Sequence, residues 1–231
     1  MSNVAIITAR GGSKRIPRKN IKNFCGKPII AYSVEAALES GLFDEVMVST
    51  DDEEIAGISK QYGAKVPFYR SSKTSDDFAT TNDVLLEVLG KYSEMGIDFE
   101  YMCCIYPTAP FVTAEKLKKG YETLLTNSTD KLEAVVKYEC PPQWGLTIND
   151  HGYVKYCYPD MLNIRSQDME PMYHDAGQFY WYNVRRCFFS ESNQVSVSAL
   201  ILPENEVQDI DDESDWSLAE MKYTLFKERI K

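Results

Sequence analysis

The sequence predicts an α/β fold built on an open, mostly parallel sheet with helices on both faces. Short apolar runs alternate along the chain with segments in which apolar residues recur at helical spacing. This alternation favours parallel strands, because each helix carries the chain back to the start of the next strand. The length of 231 residues fits one domain, 1–231, with one substantial core. Polar loops after the strands would then share the edge of the sheet at which such folds bind ligands.

The elements before residue 140 follow this alternation. The predicted strands are 4–7, 46–48, 101–105 and 134–136. The helical patterns between them begin near Pro28, Asp52, Thr80 and Thr113. The loops after the first three strands, 9–20, 49–52 and 106–110, are expected at one edge of the sheet.

The pattern changes between residues 140 and 183. This segment is rich in Pro, Tyr and Trp and shows no clear helical period, so it is interpreted as a small aromatic-rich insertion, a flap or a dimerisation segment. A strand is predicted over 195–202. The last helix is predicted to bury one face, formed by Trp216, Ala219, Tyr223, Phe226 and Ile230.

A basic loop follows the first predicted strand. Residues 9–27 contain Gly11, Gly12, Ser13 and seven Lys or Arg residues, and no Asp or Glu occurs before residue 28. A glycine-rich turn lets backbone N–H groups approach an anion closely, and clustered cations neutralise several phosphate charges. The loop therefore predicts a polyphosphate site, with a solvated basic surface loop as the alternative.

The spacing excludes two common phosphate-binding motifs. A Walker loop needs a glycine five positions before Gly26, where this sequence has Ile21. A G-x-G-x-x-G dinucleotide motif is also absent, because Gly11 and Gly12 are followed by Ser13.

The charge distribution favours a small anionic ligand. The net charge is −10, yet the first 27 residues carry +7, so the rest of the chain carries −17. Nucleic-acid or membrane binding would spread positive charge across a face, and neither is expected here. No apolar stretch reaches the roughly 18–20 residues of a membrane helix, and no signal peptide is evident. We expect a cytoplasmic protein whose six cysteines are reduced, since no C-x-x-C pair occurs.

Asp209 and Asp211 are candidate metal ligands. If these residues end a strand, both carboxylates point to the same side. Two converging carboxylates beside a polyphosphate would hold Mg²⁺, with phosphate oxygens and water completing the octahedron. Helix capping is the alternative, because Asp211 or Asp212 could cap the last helix. The spacing alone does not decide between them.

The basic loop resembles the motif of one enzyme family. The run ARGGSKRIPRKN after a first strand, with GKP opening a helix, is similar to the cytidylyltransferases that make CMP-activated nonulosonic acids, including CMP-sialic acid synthetases. The resemblance implies a Rossmann-like fold of the nucleotide-diphospho-sugar transferase type and a nucleotidyltransferase that uses CTP and Mg²⁺. It also implies a homodimer in which the 140–183 segment reaches toward the neighbouring sugar site.

The resemblance assigns roles to individual residues. The implied nucleotide-binding residues are Ala9, Arg10, Gly11, Gly12, Ser13, Arg15, Lys19, Asn20, Arg70, Thr80 and Asp83. Arg10 and Lys19 are also the implied catalytic residues, because they could stabilise charge on the α-phosphate and the departing pyrophosphate. Asp209 and Asp211 match the family's magnesium aspartates. The match is looser at Arg70 and the 80–83 turn, where an exposed arginine and a helix cap are the alternatives.

The implied sugar site points to one branch of the family. Its residues are Tyr106, Thr108, His174, Asp175, Gln178 and Tyr180. Sialic-acid enzymes tend to have Gln-Pro-Thr-Ser-Pro where this chain has Tyr-Pro-Thr-Ala-Pro from Tyr106, and the latter looks like the pseudaminic acid branch.

The expected function is transfer of a cytidylyl group from CTP to a nonulosonic acid sugar, with pseudaminic acid favoured. N-acetylneuraminic, legionaminic and 3-deoxy-octulosonic acids are the alternative substrates. A CTP-binding sensor is the alternative from another class of protein. A sensor would not need to keep Arg10, Lys19, Asp209 and Asp211 together, and no residue stands out as a general base.

Overall fold

The computed structural model describes residues 2–191 and 194–229. Its strands are β1 (Asn3–Thr8), β2 (Asn23–Phe24), β3 (Lys27–Pro28), β4 (Glu45–Ser49), β5 (Tyr101–Ile105), β6 (Lys131–Lys137), β7 (Leu146–Ile148), β8 (Val154–Tyr156), β9 (Tyr173–Asn183) and β10 (Val197–Leu202). Its α-helices are α1 (Ile29–Ser40), α2 (Glu53–Gln61), α3 (Thr81–Glu94), α4 (Ala114–Asn127), α5 (Val184–Phe188) and α6 (Glu213–Arg229).

The main sheet has six strands in the order β10-β6-β9-β5-β1-β4. Strand β1 pairs in parallel with β4 and β5, and β6 pairs in parallel with β10. The chain passes from β1 through α1 to β4 on one side of β1, and from β5 through α4 to β6 on the other side. The loops after β1 and β5 therefore lead away from each other at the carboxyl edge. A ligand crevice is expected at such a point. The predicted mostly parallel α/β sheet is confirmed.

Strand β9 was not predicted. It occupies the middle of the sheet and runs antiparallel to both β5 and β6. Phe179 and Trp181 pack into one face of the sheet, whereas Tyr180 and Tyr182 pack against the other. The structure therefore differs from the 140–183 interpretation, since 173–183 belongs to the central sheet. A strand buried on both faces shows no alternation of polar and apolar residues, so that pattern could not predict β9.

Helices cover both faces of the sheet. On one face, α1 and α4 pack through residues such as Val34 and Leu124. On the other face, α3 packs through residues such as Leu85 and Val88. The side chain of Asp52 caps α2 by accepting a hydrogen bond from the backbone N–H of Ile55 at 2.9 Å, as expected for a helix that begins near Asp52.

Helix α6 closes a third apolar cluster beside the basic loop. Trp216, Ala219, Tyr223 and Phe226 are buried, as the helical spacing predicts, whereas Ile230 lies outside the described residues. The ring of Trp216 meets that of Phe24 edge-on at a centroid distance of 5.5 Å. This packing brings the start of α6 next to the loop after β1.

Residues 140–172, which we call the flap, lie outside the main sheet. Strands β7 and β8 form a separate two-stranded sheet, and the rest of the flap consists of short turns. Many apolar side chains here are exposed, including Ile148 at 65% and Tyr153 at 72%. Within 2–191 and 194–229, no helix combines the length and apolar character needed to cross a bilayer.

Candidate active site

A cavity of about 490 Å³ opens at the carboxyl edge of the sheet, between the loops after β1 and β5. Nine of the predicted site residues line it: Arg10, Ser13, Arg15, Lys19, Asn20, Arg70, Tyr106, Thr108 and Asp211. The predicted residues outside its lining are Ala9, Gly11, Gly12, Thr80, Asp83, His174, Asp175, Gln178, Tyr180 and Asp209. The fold thus brings residues that are distant in sequence around one cavity.

The basic loop is held in place by hydrogen bonds to its neighbours. The backbone N–H of Ala9 donates to the carbonyl of Ser49 at 2.9 Å, and that of Gly11 donates to Oδ1 of Asp51 at 2.9 Å. The buried Asn20 donates from Nδ2 to the carbonyl of Arg10 at 2.9 Å. These hydrogen bonds hold the basic loop in one conformation and place the 49–52 loop beside it.

Gly11 and Gly12 differ in what surrounds them. A Cβ on Gly11 would lie 2.9 Å from Oδ2 and 3.1 Å from Cβ of Asp52, whereas a Cβ on Gly12 would meet nothing within 4 Å. Asp52 cannot move aside freely, because it caps α2 and forms an ion pair with Arg18. Gly11 is therefore required by the close approach of Asp52.

We expect Gly11→Ala to lower the free energy of unfolding by about 1–3 kcal/mol, because the new methyl group displaces Asp52 from its cap and ion pair. Gly12→Ala is the matched control and should change it by no more than about 0.5 kcal/mol. Urea denaturation of both variants, followed by circular dichroism, tests this. Equal destabilisation by both substitutions would contradict the steric explanation.

Asp76 and Asp77 contact the basic loop. Nη1 of Arg10 donates to the carbonyl of Asp76 and to Oδ1 of Asp77, each at 2.9 Å, and Lys14 also pairs with Asp77. Hydrogen bonds from Lys14 and then Arg10 lower the pKa of the Asp77 carboxyl. Both acidic residues line the cavity. Sequence reasoning missed them, although adjacent carboxylates in the irregular stretch before α3 offered a signal.

Lys19 is the half-buried cation of the site. Its Nζ donates to the carbonyl of Ile210 at 2.6 Å. Burial lowers the pKa of Lys19, while the nearby carboxylates of Asp211 and Asp209 oppose that shift. The ammonium group therefore lies between the cavity and the acidic segment that precedes α6.

The predicted acidic pair does not end a strand. Strand β10 ends at Leu202, and Asp209 and Asp211 lie in an irregular segment before α6. The condition under which both carboxylates would point to the same side of a strand is therefore not met. Asp211 accepts a hydrogen bond from Nη2 of Arg15 at 2.7 Å and lines the cavity, whereas Asp209 is exposed and lies outside the lining.

Helix capping is carried out by other residues. Oδ1 of Asp212 accepts from the backbone N–H groups of Ser214 and Asp215 at 2.8 and 3.0 Å. In return, Oδ2 of Asp215 accepts from the backbone N–H groups of Asp211 and Asp212 at 2.9 and 3.1 Å. This reciprocal arrangement corresponds to a capping box. The side chains of Asp209 and Asp211 are therefore not needed to cap α6.

The chemistry of this acidic pair fits Mg²⁺. Partial desolvation of its carboxyl, and then the neighbouring charge of Asp211, raise the pKa of Asp209, so a cation would relieve the repulsion between the two carboxylates. In the described part of the chain, no three His, Cys, Asp or Glu residues are grouped so that they could hold a metal ion. A site with two carboxylates suits Mg²⁺, which usually keeps water and substrate phosphate among its ligands.

Arg70 and Thr81 also line the cavity. Arg70 is buried rather than exposed, and it donates from Nε to Oγ and from Nη2 to the carbonyl of Ser49 at 3.1 and 2.7 Å. Burial lowers its pKa, and the charge of Asp51 opposes the shift. Thr80 and Asp83 form the capping box of α3, which confirms the helix cap, and the adjacent Thr81 lines the cavity.

Tyr106 forms an aromatic wall after β5. Its hydroxyl lies 3.4 Å from Oγ1 of Thr81, and its ring centroid lies 5.4 Å from that of Tyr180. Tyr180 donates to Oδ2 of Asp175 at 2.6 Å, and burial followed by this hydrogen bond raises its pKa. Tyr180 thus supports Tyr106 from behind, outside the lining of the cavity.

His174 and Gln178 lie away from the cavity lining. Nδ1 of His174 is 2.9 Å from the carbonyl of Asp175, and its ring packs against Tyr138 at a centroid distance of 4.7 Å. Gln178 is buried and donates from Nε2 to the carbonyl of Glu206 at 2.6 Å. The structure thus connects Gln178 to the segment that leads to Asp209.

A mostly parallel sheet with a cation-rich loop at its carboxyl edge is the architecture expected of a nucleotidyltransferase. The cytidylyltransferase family profile matches residues 4–172. Over 227 residues, and 97% of both chains, the sequence is 40% identical to the pseudaminic acid cytidylyltransferase of Campylobacter jejuni. This chain belongs to the cytidylyltransferase family.

Two further comparisons agree with this family membership and with the fold. It is 31% identical to the CMP-N,N'-diacetyllegionaminic acid synthase of Legionella pneumophila over 98% of both chains. The structure of a CMP:2-keto-3-deoxy-manno-octonic acid synthetase complexed with CTP superposes with a TM-score of 0.71 and 17% identity, covering 99% of this chain and 100% of that one. The second match supports the fold.

Proposed function

We propose that this enzyme transfers the cytidylyl group of CTP to pseudaminic acid and releases pyrophosphate. The observation that carries the reaction is the convergence of Arg10, Lys19 and Asp211 on one cavity. The choice of sugar rests on the similarity to pseudaminic acid cytidylyltransferases and on Tyr106, which occupies the cavity wall after β5.

In the proposed reaction, the anomeric hydroxyl oxygen of the sugar attacks the α-phosphorus of CTP in line. The new oxygen–phosphorus bond forms as the bond from that phosphorus to the bridging oxygen of the β-phosphate breaks. Pyrophosphate leaves, and the hydroxyl proton passes to solvent. Phosphoryl transfers of this kind are accelerated chiefly by positioning and charge stabilisation.

The residues of the cavity supply both effects. Arg10 can bind the triphosphate after its guanidinium exchanges the Asp77 carboxylate for phosphate oxygens. Lys19, fixed by the carbonyl of Ile210, can stabilise charge on the departing pyrophosphate. Asp209 and Asp211 would hold Mg²⁺, which when bound neutralises charge on the phosphate oxygens.

The substrate proposal predicts selective turnover. With CTP and Mg²⁺, we expect pyrophosphate release with pseudaminic acid and much less with legionaminic, N-acetylneuraminic or 3-deoxy-octulosonic acid. A coupled assay measures the reaction with all four acids in parallel: pyrophosphatase hydrolyses the released pyrophosphate to phosphate, which is then quantified. Release with another acid would support the proposed reaction but identify a different sugar substrate. CTP binding without release from any of the four would favour the sensor.

We also propose that the flap joins two copies of the chain. Several apolar side chains of the flap are exposed together, and an exposed apolar patch of this kind is typical of an interaction surface. We place this enzyme in the cytoplasm, where CTP is made, and we propose no nucleic-acid or membrane partner.

The dimer predicts a mass of twice 26.4 kDa in solution. Ile148→Asp and Tyr153→Asp, which introduce charge into the flap, should shift the protein toward the monomer. Met221→Asp on α6 is the matched control, because Met221 is 66% exposed and Ile148 is 65% exposed. Light scattering after gel filtration measures the mass. A dimer unaffected by both flap variants would contradict this interface.

A further inference from the structure

The segment that carries Asp209 and Asp211 is held by side chains from distant parts of the chain. Residues 207–211 form neither helix nor strand, so no regular ladder satisfies their backbone oxygens. Val207 and Ile210 are buried in two different apolar clusters. Asp209 lies between these two buried residues in the chain, and Asp211 follows the second of them.

Three side chains donate to carbonyl oxygens between Glu206 and Ile210. Nε2 of Gln178 reaches the carbonyl of Glu206 at 2.6 Å. Nζ of Lys222, on α6, reaches the carbonyl of Val207 at 2.9 Å. Lys19 makes the third such bond, to Ile210, and contacts the cavity itself. The donors come from β9, α6 and the basic loop, so the position of the segment depends on all three.

Lys116 fixes the start of the same stretch. Its Nζ forms an ion pair with Oε2 of Glu206 and donates to the carbonyl of Phe111, each at 2.8 Å. The side chains of Lys116 and Glu206 are only 13% and 18% exposed. Burial lowers the pKa of Lys116, and the hydrogen bond that its ammonium group donates to Glu206 opposes the shift. A shielded ion pair of this kind is less weakened by solvent than an exposed one.

We propose that Lys222 and Lys116 are positioning residues for the acidic pair Asp209 and Asp211. Neither lysine lines the cavity, and each acts through the backbone or side chain of residues 206–207. Ligands to a small cation must be held close to their productive geometry, and the groups that support them tune metal affinity. The inference rests on the metal role proposed above for this pair.

The test measures metal binding without turnover. Mn²⁺, which replaces Mg²⁺ as a paramagnetic probe, is titrated into the enzyme–CTP complex without sugar acid and followed by electron paramagnetic resonance. For Lys222→Met and Lys116→Met, we expect the Mn²⁺ affinity to fall about tenfold or more, as for supporting residues in other metal sites. CTP affinity measured in EDTA should remain unchanged, and Lys222→Arg should restore much of the Mn²⁺ affinity.

Matched controls separate positioning from loss of charge. Lys227→Met removes an exposed lysine from the same helix as Lys222, and Lys119→Met does so on the helix that carries Lys116. Both controls should bind Mn²⁺ like the wild type. The side chain of Lys116 is only 13% exposed and forms a shielded ion pair, so if its variant fails to fold, the Lys222 variant decides the question.

Three outcomes would overturn the inference, and they can be distinguished. If Asp211→Asn weakens Mn²⁺ binding but folded Lys222→Met does not, the acidic pair binds metal without help from Lys222. If Asp211→Asn also leaves Mn²⁺ binding unchanged, the metal role of the pair fails and the positioning role fails with it. A loss of CTP affinity in EDTA equal to the loss of Mn²⁺ affinity would indicate a general structural defect.

Discussion

Lys19→Ala is expected to lower kcat by about 100- to 1000-fold, the range found when one preorganised donor to a developing negative charge is removed. Lys19 is half-buried, lines the cavity and is directed by its bond to the carbonyl of Ile210. Its position therefore costs little reorganisation during the reaction. Removal of such a donor raises the activation barrier by about 3–4 kcal/mol.

The assay should separate chemistry from folding. Steady-state pyrophosphate release gives kcat, and circular dichroism with thermal denaturation reports the fold. Lys22→Ala is the matched control, because Lys22 belongs to the same loop but pairs with Glu213 outside the cavity lining. That control should turn over at close to the wild-type rate. A near-normal rate for Lys19→Ala would remove Lys19 from the catalytic machinery.

Asp211→Asn is expected to reduce turnover about 100-fold or more, because the loss of one carboxylate weakens the charge stabilisation that a bound metal supplies. CTP affinity measured without metal should change far less, since the substitution removes no cation from the basic loop. Arg15 loses its carboxylate partner in this variant and becomes available to the triphosphate. The two measurements therefore separate metal-assisted chemistry from nucleotide binding.

The adjacent residue provides the control. Asp212→Asn makes the same change in charge one position along the chain, yet Asn is as good an N-cap as Asp and keeps the bonds to Ser214 and Asp215. We expect its turnover to remain close to that of the wild type. Calorimetry in EDTA measures CTP binding, and a magnesium titration of the rate measures the metal dependence. Equal losses of turnover and metal-free CTP binding in Asp211→Asn would contradict the metal role.

Local patterns were sufficient for most of the sheet and for the loop that lines the cavity. The apolar run at 101–105 coincides with β5, and the basic loop lies at the expected edge beside the 49–52 loop. Caps such as Thr80 and Thr113 were identified because their hydrogen bonds lie within a few residues. These features depend on short-range chemistry that a single sequence displays.

Long-range contacts account for what the sequence did not reveal. The placement of Asp209 depends on Lys222, Gln178 and Lys116, whose bonds to residues 206–207 have no local pattern. Strand β9 was missed because its aromatic run is buried on both faces. Its four aromatic residues at 179–182 nevertheless favour a strand and offered a signal.

Strand β9 is synthesised after β5 and β6, the two strands that it joins, and this order affects how the chain folds during synthesis. Strand β5 must pair with residues 179–183, so Tyr101 and Asn183 meet only after more than 80 further residues have been made. Until then, β5 and β6 leave the ribosome as two separate edges with no strand between them. Pairing over such a distance is slow and exposes strand edges to aggregation. We therefore expect nascent chains that end before residue 173 to depend on chaperones, and the complete sheet to form in one late step.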